Sequence, residues 1–191
     1  MNPIQHPTTE TAANPMHNPD AGAHQIVLRF LAEPGDINFG GKVHGGAVMK
    51  WIDQAGYACA AQWAGSYCVT VYVGGIRFYR PIQIGNMVEV EARLIYTGRS
   101  SLHMAIDVRA RDPKSSTFTE TTHCIIIFVA VNAEGTPIPI PSWVPVTAEQ
   151  VAWHEHAVKL MEMRKSLEEE HLRVHPERPD KFPSSPRPAS H

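Results

Sequence analysis

The chain has 191 residues, 43% apolar and 19% charged, with 17 Lys and Arg against 19 Asp and Glu. A formal net charge of −2 excludes a nucleic-acid binder that works by phosphate neutralisation, which needs clustered cations, and the apolar content excludes wholesale disorder. Proline divides the sequence: nine of 16 fall in residues 1–23 and 174–191, so both ends read as disordered tails around one domain of about 150 residues or fewer.

Residues 24–33 are dense in β-formers and stop at Pro34-Gly35-Asp36, a turn signal, and read as the first strand. A glycine-rich stretch, Asn38-Phe39-Gly40-Gly41-Lys42-Val43-His44-Gly45-Gly46, leads into residues 47–63, which hold no proline and carry apolar side chains at nearly every helical angle. That is a helix buried on most sides. Its Ala55, Gly56, Ala58, Cys59, Ala60 and Ala61 are small enough to let a curved sheet wrap closely around it.

From Tyr67 the period changes to two. Val88, Val90, Ala92, Leu94 and Tyr96 share one face and Glu89, Glu91 and Arg93 the other, the pattern of a strand with one side in water. Leu102, Met104, Ile106, Val108 and Ala110 repeat it, opposed by His103, Asp107, Arg109 and Arg111. Asp112 to Ser116 make a turn into a last strand, 118–131, whose second half is apolar on both faces. One helix covers one face, so a second subunit is expected over the other. Gly74-Gly75 inside a strand marks a bulge or a close backbone approach.

The segment Pro137-Ile138-Pro139-Ile140-Pro141 reads as extended and unable to donate ladder hydrogen bonds. Thr147-Ala148-Glu149-Gln150 is a capping box that opens a final helix to about Leu172, with Val151, Val158, Met161 and Leu167 as a modest apolar stripe. The organisation is a tail at 1–23, a domain at 24–138, a linker and helix at 139–173, and a tail at 174–191.

Cys59, Cys68 and Cys124 are odd in number and form no Cys-x-x-Cys pair, so buried reduced thiols are expected rather than disulfides or a zinc knuckle. The first twenty residues hold no apolar core of a secretory signal, and the longest apolar run, Cys124 to Val131, is far below the ~20 residues a membrane helix requires. A soluble, cytoplasmic protein is expected. There is no Gly-x-Ser-x-Gly elbow, no cysteine with an activating partner, and no histidine pair among His154, His156, His171 and His175 that suits a metal.

A strand, a long buried helix and then four antiparallel strands is the order of the hotdog layout, an α+β fold in which a sheet wraps one helix. Residues 36–53, Asp36 through Asn38, Lys42, His44-Gly45-Gly46 and Met49 to Asp53, resemble the opening of the acyl-CoA thioesterase family of hotdog proteins. Val69-Thr70, Phe78-x-x-Pro81-Ile82-x-x-Gly85 and Tyr96-Thr97-Gly98-Arg99-Ser100-Ser101 follow in the right order, so the resemblance spans about residues 26–135. It implies a hydrolase of acyl-CoA in lipid metabolism that needs no separate cofactor, coenzyme A being part of the substrate. It also implies a homo-oligomer: a dimer with two composite sites at minimum, and a hexamer built from three dimers.

The residues carry a physical reading of their own. Gly45 and Gly46 begin the helix, where free N–H groups and the positive end of the dipole face whatever binds; they equally suit a tight loop-to-helix entry. The resemblance favours the first role, that of donors to the oxyanion of a thioester under attack. Asp53 lies nine residues after His44, about 900° of rotation and about 13 Å along the helix, which puts it out of reach of its own helix start. It is either a paired structural carboxylate or, as similar enzymes imply, a base or nucleophile reaching into a partner's site. His44 reads as a residue that packs or hydrogen-bonds at the helix start.

Lys42 departs from the family, whose members usually carry Asn or Asp just after the position of Gly41. An ammonium donates but cannot accept a proton from water, and pairing with a partner's Asp53 would weaken it as a base, so reduced activity is expected. Asn38 is a neighbouring amide with no assigned role. Thr97, Gly98, Arg99, Ser100 and Ser101 resemble the coenzyme A-binding segment, in which the Arg99 guanidinium meets phosphate. The leading expectation is acyl-CoA hydrolysis; the alternative is an acyl-CoA-binding sensor that has lost it. A hotdog dehydratase would need a His paired with a carboxylate on the helix, a pattern His44 and Asp53 do not match.

Overall fold

In the computed structural model, which describes residues 24–174, the proline-free stretch after His44 is one helix, α1 (Gly45–Ala64). His44 caps its start. Gly65 ends it in the left-handed region at φ 63°, its N–H donating to Ala61 O at 2.9 Å. Around α1 lie β1 (Gln25–Leu31), β2 (Cys68–Phe78), β3 (Met87–Thr97), β4 (Ser101–Arg111) and β5 (Thr119–Ala130), antiparallel in the order β1-β3-β4-β5-β2. This is the hotdog fold, and α1 packs against every strand.

The small residues of α1 set that closeness. Ala55, Cys59 and Ala60 are fully buried, and a Cβ on Gly56 would stand 2.8 Å from Phe128 Cε2. The inward rows read from the strands, Val88 to Leu94 and Leu102 to Ala110, are buried in the same core. All three cysteines are free and buried, and burial pushes Cys59 and Cys124 up to about 12 and Cys68 to about 11, so none supplies a thiolate at neutral pH.

The second face of β5, where a second subunit was expected, is covered from within the chain. Helix α2 (Ala148–Val174) lies across the outside of the sheet, where Ala157, Trp153 and Leu160 pack against Ile95, Ala105 and Ile125. The capping box forms: Gln150 N donates to Thr147 Oγ1 at 3.2 Å and Gln150 Oε1 accepts from Thr147 N at 3.1 Å. The stripe does not run where the pattern suggested, since Val151 and Leu167 are exposed. Val174 closes α2; the rest of the tails, 1–23 and 175–191, lie outside the described residues. Between the prolines of 137–141 the isoleucines do donate, Ile138 N to Ala130 O at 2.9 Å and Ile140 N to Arg99 O at 3.0 Å.

The charged face of β3 and β4 is likewise drier than its alternation implied. Glu89, only 5% exposed, pairs with Arg29 at 2.5 Å and Arg109 at 3.1 Å; Arg93 pairs with Asp107 and lies 5.4 Å from the Trp153 ring centroid. Burial alone would raise the Asp107 carboxyl, but the His123 hydrogen bond at 2.6 Å and the Arg93 charge hold it below the ordinary carboxylate range. Burial, assisted by Arg164, pushes the His103 imidazole down to about 4 from 6.5. The unfolded chain therefore binds more protons than the native one between those values, and stability falls as pH drops from 6.5 toward 4. His103→Phe is expected to flatten the melting temperature against pH across that window; an unchanged slope contradicts the burial account.

Candidate active site

The loop before α1 is a small closed hairpin. Ile37 and Val43 bridge, Asn38 Oδ1 accepts from Gly40 N at 2.8 Å and Lys42 N at 3.1 Å, and Gly41 takes φ 76°, a turn only glycine makes without strain. Fixing Oδ1 in this way fixes the amide, whose Nδ2 makes a single long bond of 3.4 Å to Val43 O. Asn38, Lys42, Gly45, Phe78, Arg80 and Thr122 line one cleft of about 330 Å³ at the start of α1.

The two glycines part ways there. Gly46 N donates to His44 Nδ1 at 2.9 Å, so its N–H is not free as expected; a Cβ on residue 46 would stand 3.0 Å from that same nitrogen, which makes Gly46 the residue that lets His44 cap. Gly45 N has no partner among the described residues and borders the cleft. Lys42 has a neighbour in its own chain: Nζ donates to Gln83 Oε1 at 2.6 Å.

Asp53 is not in this cleft. It stands exposed further along α1, with Met49 and Tyr57 one turn away on either side, both exposed as well. Thr70, on the edge strand β2, donates its hydroxyl to Asp53 Oδ1 at 2.6 Å. One carboxylate oxygen is thereby held, and the other has no hydrogen-bond partner among the described residues. Thr70 was visible in the sequence only as half of the Val69-Thr70 match, with no role attached. Thr122 gave no signal at all, yet its Oγ1 is buried without a hydrogen-bond partner among the described residues, and the residue lines the cleft.

Thr97 to Ser101 form the tight turn joining β3 to β4. Gly98 N donates to Ser101 O at 2.8 Å, and Thr97 Oγ1 accepts from Trp143 N at 2.9 Å. Arg99 projects from it, exposed and without an ion pair among the described residues. Cleft, carboxylate and turn therefore occupy three separate places on one protomer.

A five-stranded antiparallel sheet wrapped on one long helix is the hotdog architecture. The thioesterase superfamily model matches residues 40–117. Protein VdlD of Helicobacter pylori is 32% identical over 140 residues, covering 73% of this chain and 80% of its own. Acyl-CoA thioester hydrolase YciA of Salmonella typhimurium is 35% identical over 120 residues, covering 61% and 90%. Among solved structures, an apo-hexameric acyl-CoA thioesterase superposes with a TM-score of 0.72 at 29% identity, over 75% of this chain and 92% of that one. The chain belongs to the acyl-CoA thioesterase family of hotdog proteins.

Proposed function

We propose that the protein hydrolyses acyl-CoA to a free fatty acid and coenzyme A, at sites where the Asn38–Gly45 cleft of one protomer meets Asp53 of another. The observation that carries this reading is the Asp53–Thr70 pair: a carboxylate oriented by a hydroxyl in the middle of an exposed stripe of Met49 and Tyr57. Such a stripe asks for a covering surface. Beside it β2, a strand of 11 residues with one unpaired edge and no proline, offers backbone groups to a second copy. YciA is named a thioester hydrolase and the superposed enzyme a hexamer, which supports both halves of the reading.

The chemistry follows from the groups. Asp53 takes a proton from water, whose oxygen attacks the thioester carbonyl carbon. The oxyanion forms against Gly45 N–H and the Asn38 amide, the C–S bond breaks, and the proton passes to the departing thiolate. Arg99 pairs with a phosphate of coenzyme A. Among the described residues no helix is long and apolar enough to cross a membrane.

Free-thiol release from short, medium and long acyl-CoAs tests the proposal: turnover is expected, and binding without release identifies a sensor instead. Thr70→Val removes a hydrogen bond to a charged group, and kcat is expected to fall about 10- to 100-fold with the melting temperature little changed. Gln83 holds the Lys42 ammonium, so its damping of the reaction is small: Lys42→Asn is expected to alter kcat/KM by less than about threefold, comparable to a surface ion contact. A rise of a hundredfold would show that Lys42 blocks the base.

A further inference from the structure

On the far side of the sheet from the cleft, α2 roofs a cavity of about 200 Å³. Its walls are Tyr72 of β2, Ile125 and Ile127 of β5, and Leu160 and Leu167 of α2; His103 of β4 lines it as well. His103 is 4% exposed and its ring nitrogens make no hydrogen bond among the described residues; the Tyr96 ring stands edge-on to it, centroids 5.0 Å apart. The ring nitrogens are not among the fully buried unpartnered atoms, and the imidazole borders the cavity, which is where a partner would sit. Arg164, also lining it, lies 5.0 Å from the Tyr72 ring centroid and only 3.6 Å from Glu168, a long pairing that leaves guanidinium donors open.

The Gly74-Gly75 pair shapes this cavity. The β2–β5 register slips between Gly74 and Arg77, and Gly75 takes φ 63°. A Cβ on Gly74 would run into the Tyr72 ring, so glycine at 74 lets that ring lie along the strand as a wall. The bulge noticed in the sequence is thus spent on the cavity and not on the cleft at the start of α1.

We infer that this cavity is a second ligand site, taking a short-chain free carboxylic acid with its tail against Ile125, Ile127 and Leu160 and its carboxylate between the His103 N–H and Arg164. Apolar walls reject a polyol, Arg164 rejects an amine, and the space, roughly seven water volumes at ~30 Å³ each, is too small for coenzyme A. Because burial keeps His103 neutral at pH 7, it supplies one N–H donor and no charge of its own. The ligand class coincides with the product of the proposed hydrolysis, but the site stands whether or not that reaction occurs.

Calorimetric titration of the full chain with sodium hexanoate, against hexylamine, reads the site without any turnover. Saturable hexanoate binding is expected, none by hexylamine, and a loss of at least about tenfold in affinity in both Arg164→Gln and Leu160→Trp. Melting curves check that both variants are folded, and the His103 Cε1–H resonance should move on saturation in the wild type. No saturable binding, or binding that either folded variant leaves unchanged, overturns the inference by placing the acid elsewhere or nowhere. Failure of the hydrolysis reading would appear as absent thiol release and would leave this titration unaffected.

Discussion

Asp53→Asn is expected to lower thiol release by about 10²- to 10⁴-fold, the range for loss of a general base, while leaving the oligomer and the melting temperature essentially as they are. The amide keeps the shape of the carboxylate and still accepts from the Thr70 hydroxyl, which holds Oδ1 at 2.6 Å. What it loses is the capacity to take a proton from water. Asp53 is exposed in the protomer, so the substitution leaves no unpaired group in the core. Measured over several acyl-CoAs, the loss should fall on kcat and be nearly uniform with chain length, because in the proposed reaction Asp53 meets the water and not the acyl tail. Retention of most of the activity would remove Asp53 from the mechanism.

The largest expected loss of stability is at the contact between α1 and β5. Phe128 is fully buried and its ring edge meets the helix at Gly56. Phe128→Ala is expected to cost about 3–5 kcal/mol, the range for emptying an aromatic site in a well-packed core. Gly56→Ala gives the sharper sign test. In an ordinary helix interior that change stabilises by roughly 0.5–1 kcal/mol. Here the added methyl would stand 2.8 Å from Phe128 Cε2 and 3.2 Å from Ile126 Cγ2, so overpacking wins and a net loss of about 1–3 kcal/mol is expected. Chemical denaturation of the two variants measures both; a stabilised Gly56→Ala would mean that helix and sheet are not in close contact.

That contact was the most legible part of the fold. A run of Ala55, Gly56, Cys59 and Ala60 in a proline-free segment has one physical use, close approach of backbone, and the alternating rows of β3 and β4 supplied the surface that approaches. The cover of β5 was not legible. Period-two patterning says that Ile125 and Ile127 are buried on the second face but cannot say by what, and α2 announces itself poorly because Trp153, Ala157 and Leu160 pack while Val151 and Leu167 of the same helix do not.

Of the candidate site residues, the distance of Asp53 from its own helix start was legible, since nine residues of helix after His44 separate them by about 13 Å whatever the tertiary fold. The split between Gly45 and Gly46 depends on which way the His44 ring turns, and the partner of Lys42 on a bridge to Gln83 far along the chain. Thr70 and Thr122 meet the site only through strand register, to which a hydroxyl in a list of β-formers gives no clue.

The central claim, a site shared between protomers, is tested most directly by mixing two defects. Asp53→Asn and Asn38→Ala chains, each inactive alone, are co-expressed with different tags and the mixed oligomers purified. If the Asp53 of one protomer serves the cleft of its partner, a two-fold mixed dimer holds one intact site and one doubly defective site, so purified mixed dimers recover about half of wild-type thiol release and the unfractionated random mixture about a quarter. If each chain builds its own site, every site carries one defect and mixing restores nothing; that result would contradict the account.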